Sequence, residues 1–421
     1  MKAMISLALS VLLMFSTCSD AQSQPVAEAL SLEQCISLAL EQNPLLQSSR
    51  QLVRASLARV QQAKAFSQPH IDFDSDLQSR LFDFKGSDES YFGVSQDIDF
   101  PGKRTKRGKM AARESLEVQA DADLLKLDIV FQVEEAFYSL LLAEQILKYA
   151  EQDLELARDY LQKAEIKHEA GDVAKVEVLR ARVEKAKAEN SVRAAANEVR
   201  LGKARLNYLL ARKKYEPLEI RGHFPKKDLR FSLDELKEKA IAFRPEIRRL
   251  GFSMEKEDLR KSLARMSYLP DFGLGLSRHR LSGMPTTWDF TLSFPIPIFF
   301  WQPLKGEIAE AQANSEALRK ERENLVNAVA LEVEEAYASA LMARNQIELF
   351  ETEILTQAEE AYNMFLFSFQ EGEIGGIELI EARRTLIEAR KSYAGALHNF
   401  SVALAALEKS VGQKLEVETN D

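Results

Sequence analysis

The sequence predicts a mainly α-helical protein with a membrane β part, in which each chain gives long antiparallel helical hairpins to an α-barrel and four β-strands to a trimeric 12-stranded β-barrel. Three observations predict it. The chain carries an internal duplication at a spacing of about 200 residues, each copy holds a very long helical seam poor in Pro and Gly, and each copy places a pair of alternating segments at the same point.

The first residues bear on compartment. Lys2 precedes an apolar run from residue 5 to residue 15, about the length of a signal-peptide core and too short to span a bilayer. Residues 1–21 are therefore expected to be a signal peptide, cleaved after Ala21, with the small Ser19 two positions before Ala21. Cys18 offers the alternative of a lipidated N-terminus, where an acyl chain would supplement another membrane contact. Cys18 and Cys35 are the only cysteines, so no disulfide framework is expected. Charged residues make up 29% of the chain against only 12 Pro and 17 Gly, a profile of long helices rather than compact domains. The net charge of −9, with no basic face, excludes nucleic acid as a partner.

The duplication organises the rest. Ser31-Leu32-Glu33 returns as Ser232-Leu233-Asp234, Asn43-Pro44 as Arg244-Pro245, and the stretch 171–182 as 372–383, all 201 residues on. Val133-Glu134-Glu135-Ala136-Phe137 returns 200 residues on as Val333-Glu334-Glu335-Ala336-Tyr337, a slip that a difference in hairpin-loop length produces. The expected organisation is a first repeat over 22–212, a linker over 213–231 that holds Pro217, Gly222 and Pro225, a second repeat over 232–412 and a tail over 413–421.

Within a copy, a helix is expected from Leu32 to Ala63, and past Pro69 the period becomes two. Ile71, Phe73 and Leu77 share one face against Asp72, Asp74 and Asp76, and Phe92 and Val94 alternate with Gly93 and Ser95. The second copy repeats this with Phe272 and Leu274, then with Trp288, Phe290 and Leu292 against Asp289, Thr291 and Ser293. Strands of about 10 residues suit a tilted membrane crossing; a half-buried hairpin lying on helices is the plainer alternative.

A helix is then expected from Lys103 to Ala170. Val133, Phe137, Leu140, Leu147, Ala150, Leu154, Ala157, Leu161 and Ala164 mark its seam, and Val326 to Ile354 form the matching seam in the second copy. At 1.5 Å per residue such a helix runs about 100 Å. A further helix follows Gly171 to Ala211, so two shorter helices end to end match one long one, and Gly171 and Gly372 fall at the end far from the strands. Lys103, Arg104, Lys106, Arg107 and Lys109 start the long helix as a basic run, read either as solvated or as touching outer membrane lipid headgroups. Four strands cannot close a barrel and open edges are not tolerated in lipid, which makes a homotrimer the expected assembly.

Asn43-Pro44, Gln96 followed by Pro101-Gly102-Lys103-Arg104, the two Gly-headed turns and the paired copies together resemble the TolC family of outer membrane factors, from Leu32 to about Gly412. The stretch from Gln96 to Arg104 is most similar to the heavy-metal cation efflux branch, whereas Pro295-Ile296-Pro297-Ile298-Phe299-Phe300-Trp301-Gln302-Pro303 departs from that branch. The resemblance implies a passive outer membrane duct reaching into the periplasm, with no reaction of its own, docked by a periplasmic membrane-fusion adaptor and fed by an inner-membrane pump, an RND type first. Metal cations would be its cargo; a multidrug or type I protein secretion duct is the alternative within the family.

The resemblance also assigns sites. Family members are held shut by acids in the pattern acid-apolar-apolar-acid-Ala just after the second turn, which Glu378-Leu379-Ile380-Glu381-Ala382 matches. The first copy has Glu177-Val178-Leu179-Arg180-Ala181, so Glu177 keeps the acid and Arg180 replaces the second. The bland reading of these acids is a solvated helix face. Gly171, Asp172, Val173 and Gly372, Glu373, Ile374 are the implied adaptor-docking tips, a role compatible with ordinary helix capping.

Enzymatic and metal-site readings find no support in the pattern. The five His are scattered away from ligand spacing and no nucleophile or phosphate-loop motif occurs, so no cofactor and no resident metal are expected. A periplasmic coiled-coil scaffold, the rival from another class, explains the seams but leaves the amphipathic strands unused.

Overall fold

The computed structural model describes residues 29–76, 88–213, 216–225, 231–296 and 301–415. Cys18 and the rest of the expected signal peptide, and the strand position Leu77, lie outside the described residues.

Each copy opens on a helix closed by a capping box. Ser31 before α1 (Leu32–Gln42) accepts from the Gln34 N–H, and the Gln34 side chain accepts from the Ser31 N–H in return. Ser232 and Glu235 repeat the arrangement at α5 (Leu233–Phe243). The single helix expected from Leu32 to Ala63 is in fact broken. Pro44 disfavours the helical region for its predecessor, so Asn43 turns extended with ψ 123, and α2 (Pro44–Lys64) restarts with Pro at its first position. Arg244 breaks the chain the same way before α6 (Pro245–Met266).

The broken residues do equivalent work. Asn43 donates from Nδ2 to the Leu209 carbonyl at 3.1 Å, at the end of α4 (Lys175–Leu209). Arg244 donates from Nη1 to the Ser410 carbonyl, also at 3.1 Å, near the end of α9 (Gly376–Val411). Each copy's last helix therefore has a terminal carbonyl satisfied by its own first break.

The long helix is present as expected in the first copy. α3 (Lys103–Glu169) runs 67 residues without interruption, about 100 Å. It packs on α2, α4, α6 and α9, so it touches both copies. The second copy differs: α7 (Trp301–Leu349) passes through a π-helical turn at Phe350–Ile354 before α8 (Leu355–Glu371). That wide turn rephases the seam and buries Phe350, whose ring lies 6.3 Å from Tyr393. Two mid-length cores correspond between copies, one around Ile129, Val133, Phe137 and Leu206 and one around Val329, Val333 and Leu407. Among the described residues no helix is long and apolar enough to cross a membrane.

The strands β1 (His70–Asp76), β2 (Glu89–Ile98), β3 (Phe272–Leu281) and β4 (Thr287–Ser293) form one antiparallel sheet in sequence order. β2 and β3 come from different copies and pair over their whole length, from Glu89 opposite Leu281 to Ile98 opposite Phe272. The first part of the basic run at the start of α3 ties this sheet to the helices, while Arg107 and Lys109 are exposed. Lys103 is buried and donates to the Leu269 carbonyl at 2.7 Å and to Asp271 at 2.9 Å, Arg104 lies 3.4 Å from the Phe66 ring centre, and Arg107 pairs with Asp99.

The helix ends give a stability test. Gly412 follows α9 at φ 82, and its first-copy counterpart Ala211 is the one non-glycine at positive φ among the described residues, at 55. A left-handed residue with a Cβ costs roughly 1 kcal/mol. A Cβ at Gly412 would also sit 3.2 Å from the Phe243 backbone. Ala211→Gly is expected to raise the thermal midpoint and Gly412→Ala to lower it, followed by circular dichroism; the opposite order would contradict this account of the caps.

Candidate functional site

Two regions carry the residues that the sequence singled out: the helical tip and the sheet. The tip forms where α3 and α8 end. Gly171 at φ 88 and Gly372 at φ 80 reverse the chain, with Asp172 N–H donating to the Lys167 carbonyl and Glu373 N–H to the Ser368 carbonyl, both at 2.9 Å. Asp172 and Glu373 are exposed, and Val173 and Ile374 half-buried behind them. The two tips are fastened together: Lys167 of the first copy donates to the Phe369 carbonyl of the second at 2.7 Å and lies 4.9 Å from that ring. A cation at the last carbonyls of α8 suits the negative end of that helix.

Behind the tips the two copies share one core. Tyr160, Ala164, Val178 and Ala181 of the first pack with Tyr362, Phe369, Leu379 and Leu386 of the second. Gly376, which opens α9, is pressed against this core so closely that a Cβ would collide with the Tyr160 hydroxyl and meet Glu177 Oε2 at 2.8 Å. Burial pushes the Tyr160 hydroxyl up to about 12, with the Glu177 carboxylate adding to the rise, so it stays a neutral donor.

The candidate gate acids separate in this frame. Ile377, Glu378, Glu381, Arg384, Thr385 and Glu388 form the exposed stripe of α9, so Glu378 and Glu381 share one face as i, i+3 neighbours. Glu381 Oε1 lies 2.8 Å from Arg384. In the first copy Glu177 is turned into the seam between copies: it receives Arg180 at 2.6 Å and the Tyr160 hydroxyl at 3.4 Å. Arg180 pairs within its own helix.

Sequence reasoning missed the bracket that joins these helices. Glu184 of α4 receives Arg383 at 2.9 Å and Arg384 at 2.8 Å from α9, and Lys187 at 2.9 Å from its own helix, while Arg383 also lies 3.6 Å from Asp153 of α3. Glu184 and Arg383 are 6% and 5% exposed. Burial alone would raise the Glu184 carboxyl, but hydrogen bonds from Lys187 and Arg384 outweigh it and hold it below the usual range. The signal was available: Val178, Ala181, Glu184 and Ala188 are consecutive seam positions, and one of them is an acid.

The sheet sorts its residues by face. Cross-strand partners put Ile71, Val94, Leu276 and Phe290 in one row and Phe73, Phe92, Arg278 and Trp288 in the next. Leu274 and Leu292 continue the face, and Phe272 stands opposite Ile98 at its helix-side end. Ile71 is 73%, Trp288 68% and Phe290 70% exposed, a wide apolar surface that one chain leaves open. The other face carries Asp72, Asp74, Asp289, Tyr91 and His279, with His279 Nε2 3.0 Å from Glu89. Among the described residues no group of three or more His, Cys, Asp or Glu is arranged to hold a metal ion.

Comparison with known proteins fits this geometry. The chain matches the family described as outer membrane efflux protein over residues 35–212 and 236–413, one stretch per copy. It is 24% identical to the cobalt-zinc-cadmium resistance protein CzcC of Cupriavidus metallidurans over 391 residues, 92% of this chain and 91% of the relative. Among solved structures, CusC superposes with a TM-score of 0.77 at 18% identity, covering 95% of this chain and 96% of that one. The open-state MtrE channel of Neisseria gonorrhoeae gives 0.72 at 19%, covering 93% and 91%.

Breaking the bracket gives a test with a defined sign. A depressed carboxyl stabilises the fold at neutral pH and loses that contribution as pH falls through its lowered folded-state value. Glu184→Gln, which strands a buried guanidinium, is expected to cost about 3 kcal/mol. It should also expose the backbone of residues 376–386 to hydrogen exchange at neutral pH, as wild type does only in acid. Unchanged protection in that segment would show that the bracket does not hold the tip.

Proposed function

Because the chain belongs to the outer membrane efflux protein family, we propose that it is one protomer of a homotrimeric efflux duct. Its sheet lies in the outer membrane and its helices extend into the periplasm. The observation that carries the reading is the sheet: four strands with one continuous exposed apolar face, in an order that puts β1 and β4 outermost. Open edges are not stable in lipid, and three copies supply twelve strands for closure around a polar lumen. Transport is passive and needs no catalytic group. Energy comes from an inner-membrane pump of the RND type, coupled through a periplasmic adaptor. Divalent metal cations are the cargo we favour, by likeness to the cobalt-zinc-cadmium resistance relative.

In this reading Glu378 and Glu381 face the axis, and three protomers place six carboxylates at one constriction, an arrangement that favours cations. Glu177 is turned into the seam and is paired by Arg180 of its own helix, so in this reading neither adds to the ring. The turns around Asp172 and Glu373 are the adaptor's contact, being the exposed extremity of both hairpins.

One experiment separates the two roles. Replacing Glu378 and Glu381 by Ala is expected to raise conductance or reduce cation selectivity in planar bilayers while leaving adaptor copurification intact. Gly171→Trp with Gly372→Trp should do the reverse. If the Glu variants leave conductance and selectivity unchanged, the gate assignment fails; if the Trp variants still bring down the adaptor, the docking assignment fails.

A further inference from the structure

The sheet separates its charges by sign. Every acid on the described strands, Asp72, Asp74, Asp76, Glu89, Asp97 and Asp289, lies on the polar face. The two arginines, Arg278 and Arg280, lie on the apolar face, two residues apart at the end of β3 away from the helices. Both are exposed, and neither has an ion-pair partner among the described residues. Arg278 stands in register with Phe92 on one side and Trp288 on the other, and Arg280 with Ser90.

We propose that Arg278 and Arg280 form a docking site for the phosphate groups of the glycolipid in the outer leaflet, a site that rests on the channel reading above. The position fits the chemistry. From Phe272 to Arg280 is eight residues, about 26 Å of strand, and at a tilt near 40° about 20 Å of height. The arginines thus come at the upper margin of the apolar band, where a cation on the lipid face costs little, rather than at the midplane, where it costs most. Trp288 beside Arg278 suits the same margin, since aromatic rings gather at the interface. β3 is an inner strand of the sheet, so its outer face stays open to lipid when β1 and β4 pair with neighbouring protomers. A guanidinium fork binds phosphate bidentately. With no carboxylate on this face of the described strands, a phosphorylated lipid whose acyl chains lie along Phe92, Leu276 and Phe290 satisfies both charge and apolar surface. A neutral or zwitterionic lipid supplies no matching net charge.

The test uses the full chain, extracted from the outer membrane in mild detergent and exchanged against purified lipid A, with bound lipid counted by native mass spectrometry. Wild type is expected to retain bis-phosphorylated lipid A at least tenfold more tightly than Arg278→Gln/Arg280→Gln, and to lose that preference for dephosphorylated lipid A. Arg278→Lys/Arg280→Lys should fall between, keeping the charge without the fork. Equal retention by wild type and the Gln variant would overturn the site, as would equal retention of lipid A and phosphatidylglycerol by wild type. Should the Gln variant fail to reach the membrane, the Lys variant with the dephosphorylated ligand makes the same comparison. Absence of the wild-type chain from the outer membrane fraction would instead overturn the channel reading itself, and the site with it.

Discussion

An unpaired strand edge cannot sit in hydrocarbon, because each free N–H and C=O there goes without a partner. The sheet joins β2 of one copy to β3 of the other over ten residues, and it leaves β1 and β4 as edges. Much of the rest of the molecule is arranged around that requirement. Lys103, Arg107 and Asp271 clamp the sheet to the start of α3, so strand position and helix position are coupled. In the proposed trimer the closure of the β-barrel therefore also sets the angular placement of the helices below it.

The duplication supplies near-symmetry, and the chain departs from it locally. Asn43 and Arg244 use different chemistry for one job, satisfying a terminal carbonyl 166 residues away. At the tip the copies are not interchangeable. The first contributes Lys167 and Glu184, which bond across to the second; the second contributes Glu378 and Glu381, which stay on an exposed stripe. The π-helical turn at Phe350–Ile354 occurs only in the second copy's long helix.

Much of this architecture was legible in the residues, since periodicity reports on which face is buried and the copies check each other. The seam from Val133 to Ala164 and the alternation of the four strands are as the pattern implies. The break at Asn43 is signalled by Pro44, but the apolar period continues across it and hides the interruption. For the basic run at Lys103 the pattern leaves a solvated and a headgroup-facing reading open, because charge pattern says nothing about partners from the other copy, and Asp271 lies 168 residues away. The bracket around Glu184 is of the same kind: a buried charge on a seam is visible in sequence, but its partner is not.

The central claim is that one chain is incomplete and three complete it. Analytical ultracentrifugation of the protein in mild detergent tests it most directly. The account predicts a single species with the protein mass of three chains across a wide range of concentration. A monomer or a dimer that remains folded and membrane-extracted would contradict it.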